Sequence, residues 1–292
     1  MAELPGDTYS VDVRTAVADA ARRLAAAGVP SARHDAEVLA AHVIGCERGD
    51  LLLRDELDAV PYEELVARRA AREPLQHLTG RAFFRHVELV VGPGVFVPRP
   101  ETEVVAGWVV DWLRAQGVRR PLVVDLCTGS GAIALAVANE VPGAEVHAVE
   151  IDPSAYGWAE RNLTGSGVVV HLADTRDALP EFDGRVDVVV ANPPYIPYEA
   201  WESVEAEARD HDPAASLWGG GPDGLDVVRA VERTAARLLR PTGVVAVEHA
   251  DVQGETAPAV FAVTGSWVAV RDHEDLAGRP RFVTAARSGA RH

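Results

Sequence analysis

Apolar runs alternate with helical segments throughout the second half of the chain, and this alternation constrains the fold more than any other feature. The predicted strands cover residues 122–126, 145–150, 168–173, 186–191, 243–249, 267–271 and 281–286. The intervening helices are expected to begin near Gly131, Ser154, Gly224 and Gln253. Strands buried on both faces of a parallel sheet are apolar along their whole length, and strand–helix alternation produces such sheets. The sequence therefore predicts the α/β class, with a doubly wound, mostly parallel sheet.

The first part of the chain has a different period. From Val11 to about Arg72, apolar residues recur at helical spacing, which predicts a small helical bundle in which Arg68, Arg69 and Arg72 form a solvated face. A strand over 83–91, a turn at 92–94 and a second strand over 95–97 predict a connecting β-hairpin. We thus expect a helical domain over 1–80, a hairpin linker over 81–98 and the α/β domain over 99–292.

Composition argues against several classes of function. The 292 residues carry a formal net charge of −16, which argues against stable binding to nucleic acid because such binding depends on Lys and Arg neutralising phosphates. Cys46 and Cys127 are far apart, so neither a disulfide framework nor a zinc site is expected. The N-terminal residues lack a signal-peptide pattern, and no apolar run reaches membrane-spanning length. We therefore expect a cytoplasmic protein with no membrane association and no metal.

The tetrapeptide Asn192-Pro193-Pro194-Tyr195 follows the predicted strand over 186–191. It thus lies at the carboxyl end of a strand, where open α/β sheets bind ligands. Two prolines remove backbone donors, so carbonyl oxygens and the Asn192 side chain remain as acceptors. A planar NH2 group has two donors, and Tyr195 offers a face for stacking, so the tetrapeptide suits an amide or an aromatic amine. A simple turn is the alternative interpretation.

A glycine-rich loop follows the first strand of the sheet. Its residues, which we predict to bind a cofactor, are Cys127, Thr128, Gly129, Ser130 and Gly131. Glycines let a ligand approach the backbone closely, and Glu150 at the end of the next strand can accept hydrogen bonds from ribose hydroxyls. The same pattern also matches a dinucleotide fingerprint, but Asn192 has no use in hydride transfer.

S-adenosylmethionine gives both features a use. The glycine loop would hold its amino-acid end and Glu150 its ribose, while Asp174 would bind the adenine amine or, alternatively, cap a turn. Phe96 and the loop after it are expected to form the roof of the same pocket.

These motifs resemble class I S-adenosylmethionine-dependent methyltransferases that methylate amino groups, and more narrowly the PrmC/HemK family of peptide chain release factor glutamine methyltransferases. The narrower resemblance covers the chain from the helical bundle to near the C-terminus. It is carried by the stretches 74–80, 96–102, 219–225, 248–249 and 275–281. The sequence departs from the family at Cys127, where Gly is usual, at Glu150, where Asp is commoner, and at Thr175, where some relatives have an aromatic residue.

The resemblance implies methylation of the side-chain amide of the glutamine in the Gly-Gly-Gln motif of class I release factors. S-adenosylmethionine would be bound by Phe96, by Thr175 beside Asp174, and by Asn192, together with the glycine loop and Glu150. Asn192, Pro193 and Tyr195 would be catalytic, and Pro194 would complete the substrate-binding set. The helical domain would contribute to gripping the release factor.

Other functions stay open at this point. A nucleic-acid methyltransferase acting on adenine or cytosine would use the same tetrapeptide, and a catalytically silent binding module is the alternative from another class. Asp210, His211 and Asp212 resemble a metal cluster, but they lie in a long polar loop and are predicted to be solvated.

Overall fold

The computed structural model describes residues 9–289, which divide into two compact units within Met1–Arg81 and Ala82–His292. The start of the predicted helical domain and most of the tail expected to be disordered from Gly289 lie outside the described residues. None of the helices formed by the described residues combines the length and the apolar character needed to cross a bilayer.

The first unit is a helical bundle, as predicted. Its elements are α1 (Val13–Ala26), α2 (Ala32–Ile44), a 3-10 helix (Arg48–Leu53), α3 (Ala59–Ala70) and α4 (Leu75–Thr79). A short antiparallel pair, β1 (Ser10–Asp12) with β2 (Glu56–Asp58), was not anticipated. The helices bury one apolar cluster that includes Leu24, Leu39 and Tyr62, and the Tyr62 hydroxyl donates to the carbonyl of Ala36 at 3.0 Å.

One arginine of the predicted solvated face is buried instead. Arg69 Nε lies 2.7 Å from Asp35 Oδ2, and the two residues are only 5% and 2% exposed. Arg69 Nη1 also donates to the backbone carbonyl of Glu73. The prediction of a solvated face was therefore wrong for Arg69, because α3 turns this position toward α2, where Asp35 supplies a countercharge.

The second unit begins with a hairpin whose position differs from the prediction. Its strands are β3 (Arg81–Phe84) and β4 (Val87–Val90), and the turn lies at Arg85-His86, not at residues 92–94. Arg85 adopts a positive φ of 52° there, and its guanidinium donates to both carboxylate oxygens of Glu140 at 2.5 and 2.8 Å. Residues 95–97 form no strand, so the predicted second strand was wrong.

A seven-stranded sheet forms the centre of the second unit. Its strands are β5 (Leu122–Leu126), β6 (Glu145–Glu150), β7 (Val169–Leu172), β8 (Val186–Ala191), β9 (Leu239–Glu248), β10 (Trp267–Glu274) and β11 (Pro280–Arg287). The spatial order is β10-β11-β9-β8-β5-β6-β7. The five strands from β9 to β7 are parallel, while β11 and β10 pair antiparallel at one edge.

Helices cover both faces of this sheet. They are α5 (Thr102–Gln116), α6 (Ala132–Glu140), α7 (Pro153–Leu163), α10 (Asp226–Leu238) and α11 (Thr256–Ala262). The short helices α8 (Ala206–His211) and α9 (Ala214–Leu217) lie in the segment between β8 and α10, and 3-10 turns lie at Pro180–Phe182, Tyr198–Ser203 and Asp251–Gln253. Alternate residues of β8 enter two separate cores: Val190 packs with α5, α6 and α7, whereas Val189 packs with α10 and α11. The predicted fold class, a doubly wound, mostly parallel sheet with a helical bundle and a hairpin, is confirmed.

The buried pair in the helical bundle gives a first test. We expect Arg69→Ala to lower the stability of this unit by about 3–5 kcal/mol, because it leaves the buried carboxylate of Asp35 without its countercharge. Hydrogen exchange at amides of α2 and α3 in the full-length protein would measure the loss.

Arg68→Ala is the matched control, since Arg68 pairs with Glu73 at an exposed site. Such a pair contributes less than about 1 kcal/mol. Equal acceleration of exchange in both variants would contradict the stabilising role assigned to the buried pair.

Candidate active site

The strand order brings the two predicted ligand loops together. β5 lies between β6 and β8, and the chain passes to opposite faces of the sheet on the two sides of β5. A crevice forms at such a switch point, outside the carboxyl ends of the strands. The glycine loop follows β5 and the tetrapeptide follows β8, and both contribute to one cavity of about 390 Å³.

Most of the predicted site residues line this cavity. Those that do are Phe96, Cys127, Thr128, Gly129, Ser130, Glu150, Asp174, Thr175, Asn192, Pro194 and Tyr195. Gly131 and Pro193 are not part of the lining. Gly131 has a φ of 85°, and an added Cβ would lie 2.9 Å from Leu163. Gly131 therefore faces Leu163, on the side of the loop away from the cavity.

Glu150 holds the glycine loop against the end of β6. Its Oε2 accepts from the Gly129 amide at 2.8 Å, and its Oε1 accepts from the amides of Ile151 and Asp152, both at 2.9 Å. Burial raises the pKa of Glu150, and these three backbone donors oppose the rise. A carboxylate has about four lone-pair positions, so Glu150 retains acceptor capacity for a ligand in the cavity.

A second carboxyl group, that of Asp125, also holds the glycine loop. Asp125 Oδ2 accepts from the Thr128 hydroxyl at 2.6 Å and from the Ala134 amide at 3.2 Å. Burial raises the pKa of Asp125 to about 7. Two buried carboxyl groups therefore hold the loop, that of Asp125 through Thr128 and that of Glu150 through Gly129.

Cys127 adopts a backbone conformation that favours glycine. Its φ is +60°, and its Sγ lies 3.5 Å from the hydroxyl of Thr175. Burial raises the pKa of the Cys127 thiol to about 12, so the thiol is neutral and unsuited to act as a nucleophile. Its left-handed backbone gives a physical reason for the usual glycine of the family at this position.

Asp174 caps a turn at the edge of the cavity, which is one of the two roles that the sequence left open. Its Oδ1 accepts from the Arg176 amide at 2.9 Å, which caps the turn, and its Oδ2 pairs with the Arg176 guanidinium at 2.9 Å. The side chain is nevertheless part of the cavity lining.

The carboxamide of Asn192 is held from one end. Its Nδ2 donates to Thr102 Oγ1 at 3.2 Å, and Thr102, at the start of α5, is 4% exposed. Because Nδ2 is occupied in this way, Oδ1 is the end of the carboxamide left for a ligand. Sequence reasoning assigned Thr102 no individual function, and the only signal was its place in the stretch 96–102.

Tyr195 is fixed by its hydroxyl and by its backbone. Its hydroxyl donates to Glu248 Oε1 at 3.3 Å, and its carbonyl accepts from Gln253 Nε2 at 2.8 Å. Burial raises the pKa of Tyr195. The phenol therefore stays protonated and acts as a packing and hydrogen-bonding group.

The segment over 217–224 packs directly against the back of the tetrapeptide. An added Cβ at Gly219 would lie 2.7 Å from Tyr195 Cα, and one at Gly224 would lie 2.4 Å from the Tyr195 carbonyl oxygen. The Ile196 amide donates to the Leu217 carbonyl at 2.9 Å, and the Gly219 amide donates to the Ile196 carbonyl at 3.1 Å. Only glycine permits this approach, which accounts for Gly219 and Gly224.

A buried ion pair joins the loop before α5 to the segment after α8. Arg99 Nη2 lies 2.7 Å from Asp212 Oδ2, and the Arg99 guanidinium lies 4.9 Å from the ring centre of Phe96. Burial raises the pKa of Asp212 to about 6. The prediction that Asp212 is solvated was wrong, because Arg99 comes from a distant part of the sequence. Residues 9–289 contain no group of three or more potential metal ligands.

Three aromatic side chains gather beside the cavity. Trp218 lines it, with its ring centre 5.2 Å from that of Trp201 and 5.5 Å from that of Tyr198. His249, which belongs to the stretch 248–249 of the resemblance, lies outside the lining and contacts Asp272 Oδ1 at 2.8 Å and the Ala250 carbonyl at 2.9 Å.

Known proteins resemble this chain over most of its length. The family model described as the PrmC N-terminal domain matches residues 15–80, and the methyltransferase small domain matches residues 87–208. A release factor glutamine methyltransferase of Streptomyces coelicolor is 58% identical over 273 residues, which cover 93% of this chain and 97% of that protein. One of Mycolicibacterium smegmatis is 50% identical, covering 94% and 98%.

A further relative has a different name. The 4-amino-L-phenylalanine/4-methylamino-L-phenylalanine methyltransferase of Streptomyces pristinaespiralis is 42% identical over 261 residues, which cover 86% of this chain and 88% of that protein.

The glycine loop allows a paired test. Gly131→Ala should reduce binding of a ligand to the loop by about tenfold or more, because a positive φ and contact with Leu163 both oppose the new Cβ. Isothermal titration with S-adenosylmethionine would measure the change.

Gly165→Ala is the control, since its φ is also positive, no atom lies within 4 Å of the added Cβ, and Gly165 lies outside the cavity lining. If the two variants bind equally well, the packing of Gly131 on Leu163 does not shape the loop.

Proposed function

We propose that this chain, which belongs to the family of release factor glutamine methyltransferases, transfers a methyl group from S-adenosylmethionine to the glutamine side-chain amide of the Gly-Gly-Gln motif in class I release factors. The observation that carries the proposal is the position of Asn192: its carboxamide, with Nδ2 already bonded, lines the same cavity as the glycine loop and Glu150. We place the reaction in the cytoplasm, where translation terminates.

The cavity has the features that an adenosyl cofactor requires. The glycine loop offers closely approachable backbone, Glu150 retains acceptor capacity for ribose hydroxyls, and the planar ring of Phe96 and the Asp174 carboxylate complete the lining. S-adenosylmethionine supplies, when bound, an electrophilic methyl group on a sulfonium. Residues 127–130, Glu150, Thr175 and Asn192 are the proposed contacts of this cofactor, together with Phe96 and Asp174, and Gly131 shapes the loop from the side of Leu163.

The protein must orient a poor nucleophile, because the lone pair of an amide nitrogen is delocalised into its carbonyl group. Asn192 Oδ1 would accept one amide hydrogen and so fix the plane of the substrate amide. Tyr195, held by Glu248, would pack against that plane. Orientation of this kind supplies much of the rate enhancement in reactions between two bound groups.

The same arrangement accounts for the charge that develops on the substrate nitrogen and for the proton that the nitrogen loses. Positive charge develops on the substrate nitrogen, and acceptor oxygens directed at its hydrogens stabilise that charge. The excess proton of the methylated amide is strongly acidic, so it can pass to water without a dedicated base. The sequence also suggested the Pro193 carbonyl as a second acceptor and Pro194 as part of the substrate site. Pro193 does not line the cavity, so the proposal rests on Asn192.

The 42% identical relative that methylates 4-amino-L-phenylalanine favours a second candidate substrate, a small aromatic amine. An aromatic NH2 group presents the same two donors to Asn192. Adenine or cytosine in nucleic acid would do so too, but the net charge of −16 opposes binding to a phosphate backbone.

The deciding experiment offers labelled S-adenosylmethionine with a release factor, with 4-aminophenylalanine and with DNA in parallel. We expect label on the release factor alone, and mass analysis should place one added methyl group on the glutamine of Gly-Gly-Gln. A release factor with that glutamine replaced by asparagine is the matched control and should stay unlabelled. Label on the amine or on DNA, with none on the release factor, would refute the proposal.

Two variants separate chemistry from cofactor binding. Asn192→Ala should lower turnover by about 100-fold or more and weaken cofactor binding far less than that, because it removes the acceptor of the substrate amide but only one of several proposed cofactor contacts. Glu150→Ala should mainly weaken cofactor binding. Turnover rates and dissociation constants would be measured on both, and equal loss of affinity and turnover in Asn192→Ala would contradict its assignment.

A further inference from the structure

Two carboxamide side chains that lie outside the cavity lining bond to the backbone of the two ligand loops. Gln253, in the 3-10 turn after β9, bonds to the tetrapeptide at Tyr195. Asn162, near the end of α7, bonds to the glycine loop at Ser130. In both residues the NH2 group donates to two backbone carbonyls and the oxygen accepts from one backbone amide. The proposed chemistry uses neither side chain directly.

Gln253 joins three parts of the chain. Its Nε2 donates to the Tyr195 carbonyl at 2.8 Å and to the Asp223 carbonyl at 2.9 Å, and its Oε1 accepts from the Ala250 amide at 2.9 Å. The residue is 3% exposed. Because a carbonyl oxygen cannot donate, only this orientation of the carboxamide satisfies all three partners. One side chain therefore holds the tetrapeptide, the segment over 217–224 and the turn after β9 together.

The tetrapeptide depends on such bonds from outside. Pro193 and Pro194 have no backbone N–H, so they cannot fix this part of the chain by donating. The carbonyl of Tyr195 accepts from Gln253 at a shorter distance than its hydroxyl keeps to Glu248, 2.8 against 3.3 Å. Loss of the shorter bond would shift the backbone of Tyr195 and, with it, the ring that packs against the substrate amide.

Asn162 has the corresponding place behind the cofactor loop. Its Nδ2 donates to the Ser130 carbonyl at 2.9 Å and to the Val90 carbonyl at 3.0 Å, and its Oδ1 accepts from the Val90 amide at 2.8 Å. The next residue of α7, Leu163, is the one that an added Cβ at Gly131 would meet. Asn162 and Leu163 thus hold two consecutive residues of the glycine loop, and none of these partners belongs to the tetrapeptide.

We propose that Gln253 and Asn162 are positioning residues with separate roles, Gln253 placing the tetrapeptide for the substrate amide and Asn162 placing the glycine loop for S-adenosylmethionine. The two sets of bonded partners share no residue, so each side chain acts on one ligand. The inference rests on the proposed function, since it names the groups that prepare each half of that site. A residue needed only for stability would not separate the two ligands.

The role of Gln253 is tested in full-length protein with a release factor as substrate. Gln253→Met keeps the approximate size of the side chain and removes all three hydrogen bonds. We expect kcat to fall by about 30-fold or more and the dissociation constant of S-adenosylmethionine to change by less than about threefold, because a small displacement of oriented groups slows the reaction strongly. Titration calorimetry and initial rates at saturating cofactor would give the two values.

Asn162→Leu should give the opposite pattern. Leucine has the same branched shape as asparagine but forms none of the three hydrogen bonds. The dissociation constant of S-adenosylmethionine should rise by about tenfold, which corresponds to the loss of the bonds that hold the loop, while kcat at saturating cofactor stays within about threefold of wild type.

Two further pairs of variants complete the design. Should Gln253→Met or Asn162→Leu not fold, Gln253→Glu and Asn162→Asp keep the size and the acceptor oxygen, remove only the NH2 donors and carry the same expectations. Gln116→Met and Asn139→Leu are the matched controls, because these carboxamides are exposed and lie outside the cavity lining. Both controls should keep the kcat and the cofactor affinity of wild type.

The crossed pattern, with kcat lost at Gln253 and affinity lost at Asn162, would support the inference. Parallel loss of kcat and affinity in both variants, a reversed pattern, or wild-type values in either variant would overturn it. If wild-type protein does not methylate a release factor, the proposed function fails before any variant is compared. If wild type is active and the crossed pattern is missing, the positioning inference alone fails.

Discussion

The position of β5 between β6 and β8 is the constraint on which the site depends. Parallel strands end at one edge of a sheet, and the change of crossover direction beside β5 opens a crevice at that edge. The glycine loop and Asn192 are separated by about 60 residues of sequence, yet each directly follows a strand that borders the crevice. The site is thus a consequence of strand order, and the side chains refine a geometry that the sheet provides.

Buried carboxyl groups do most of this refinement. Asp125, Glu150, Asp212 and Glu248 are all buried, and burial raises the pKa of each. Each holds a loop that lines the cavity, through a hydroxyl, backbone amides or the guanidinium of Arg99. Removing a carboxylate from water is unfavourable, so such groups persist where their hydrogen bonds fix a geometry that an apolar side chain cannot. The hydrogen bonds of these carboxyl groups keep the site rigid, although burying the groups lowers the free energy of unfolding.

The sequence predicted what local chemistry determines and missed what distant residues determine. The predicted strand over 186–191 matches β8 because a continuous apolar run has one stable location in a parallel sheet. The hairpin turn was misplaced because residues 92–94 do turn, as glycine and proline favour, but no strand follows them, whereas Arg85 turns the chain inside the predicted strand and pairs with Glu140. Asp212 was predicted to be solvated because Arg99, which neutralises it, is far away in the sequence. Thr102 carried no individual signal, since its partner Asn192 lies 90 residues further along the sequence.

The proposed chemistry explains why one scaffold can serve different substrates. An acceptor oxygen and an aromatic face recognise a planar NH2 group and are insensitive to the atom that carries it. In this proposed chemistry, Asn192 and Tyr195 recognise the NH2 group. Other residues must then select the molecule that carries it. The segment over 198–218 is the part of the lining best placed to do so, because it borders the cavity and places Trp201 and Tyr198 at the surface. Substitutions in this segment can then change the substrate, while Asn192 and its hydrogen bond to Thr102 stay the same.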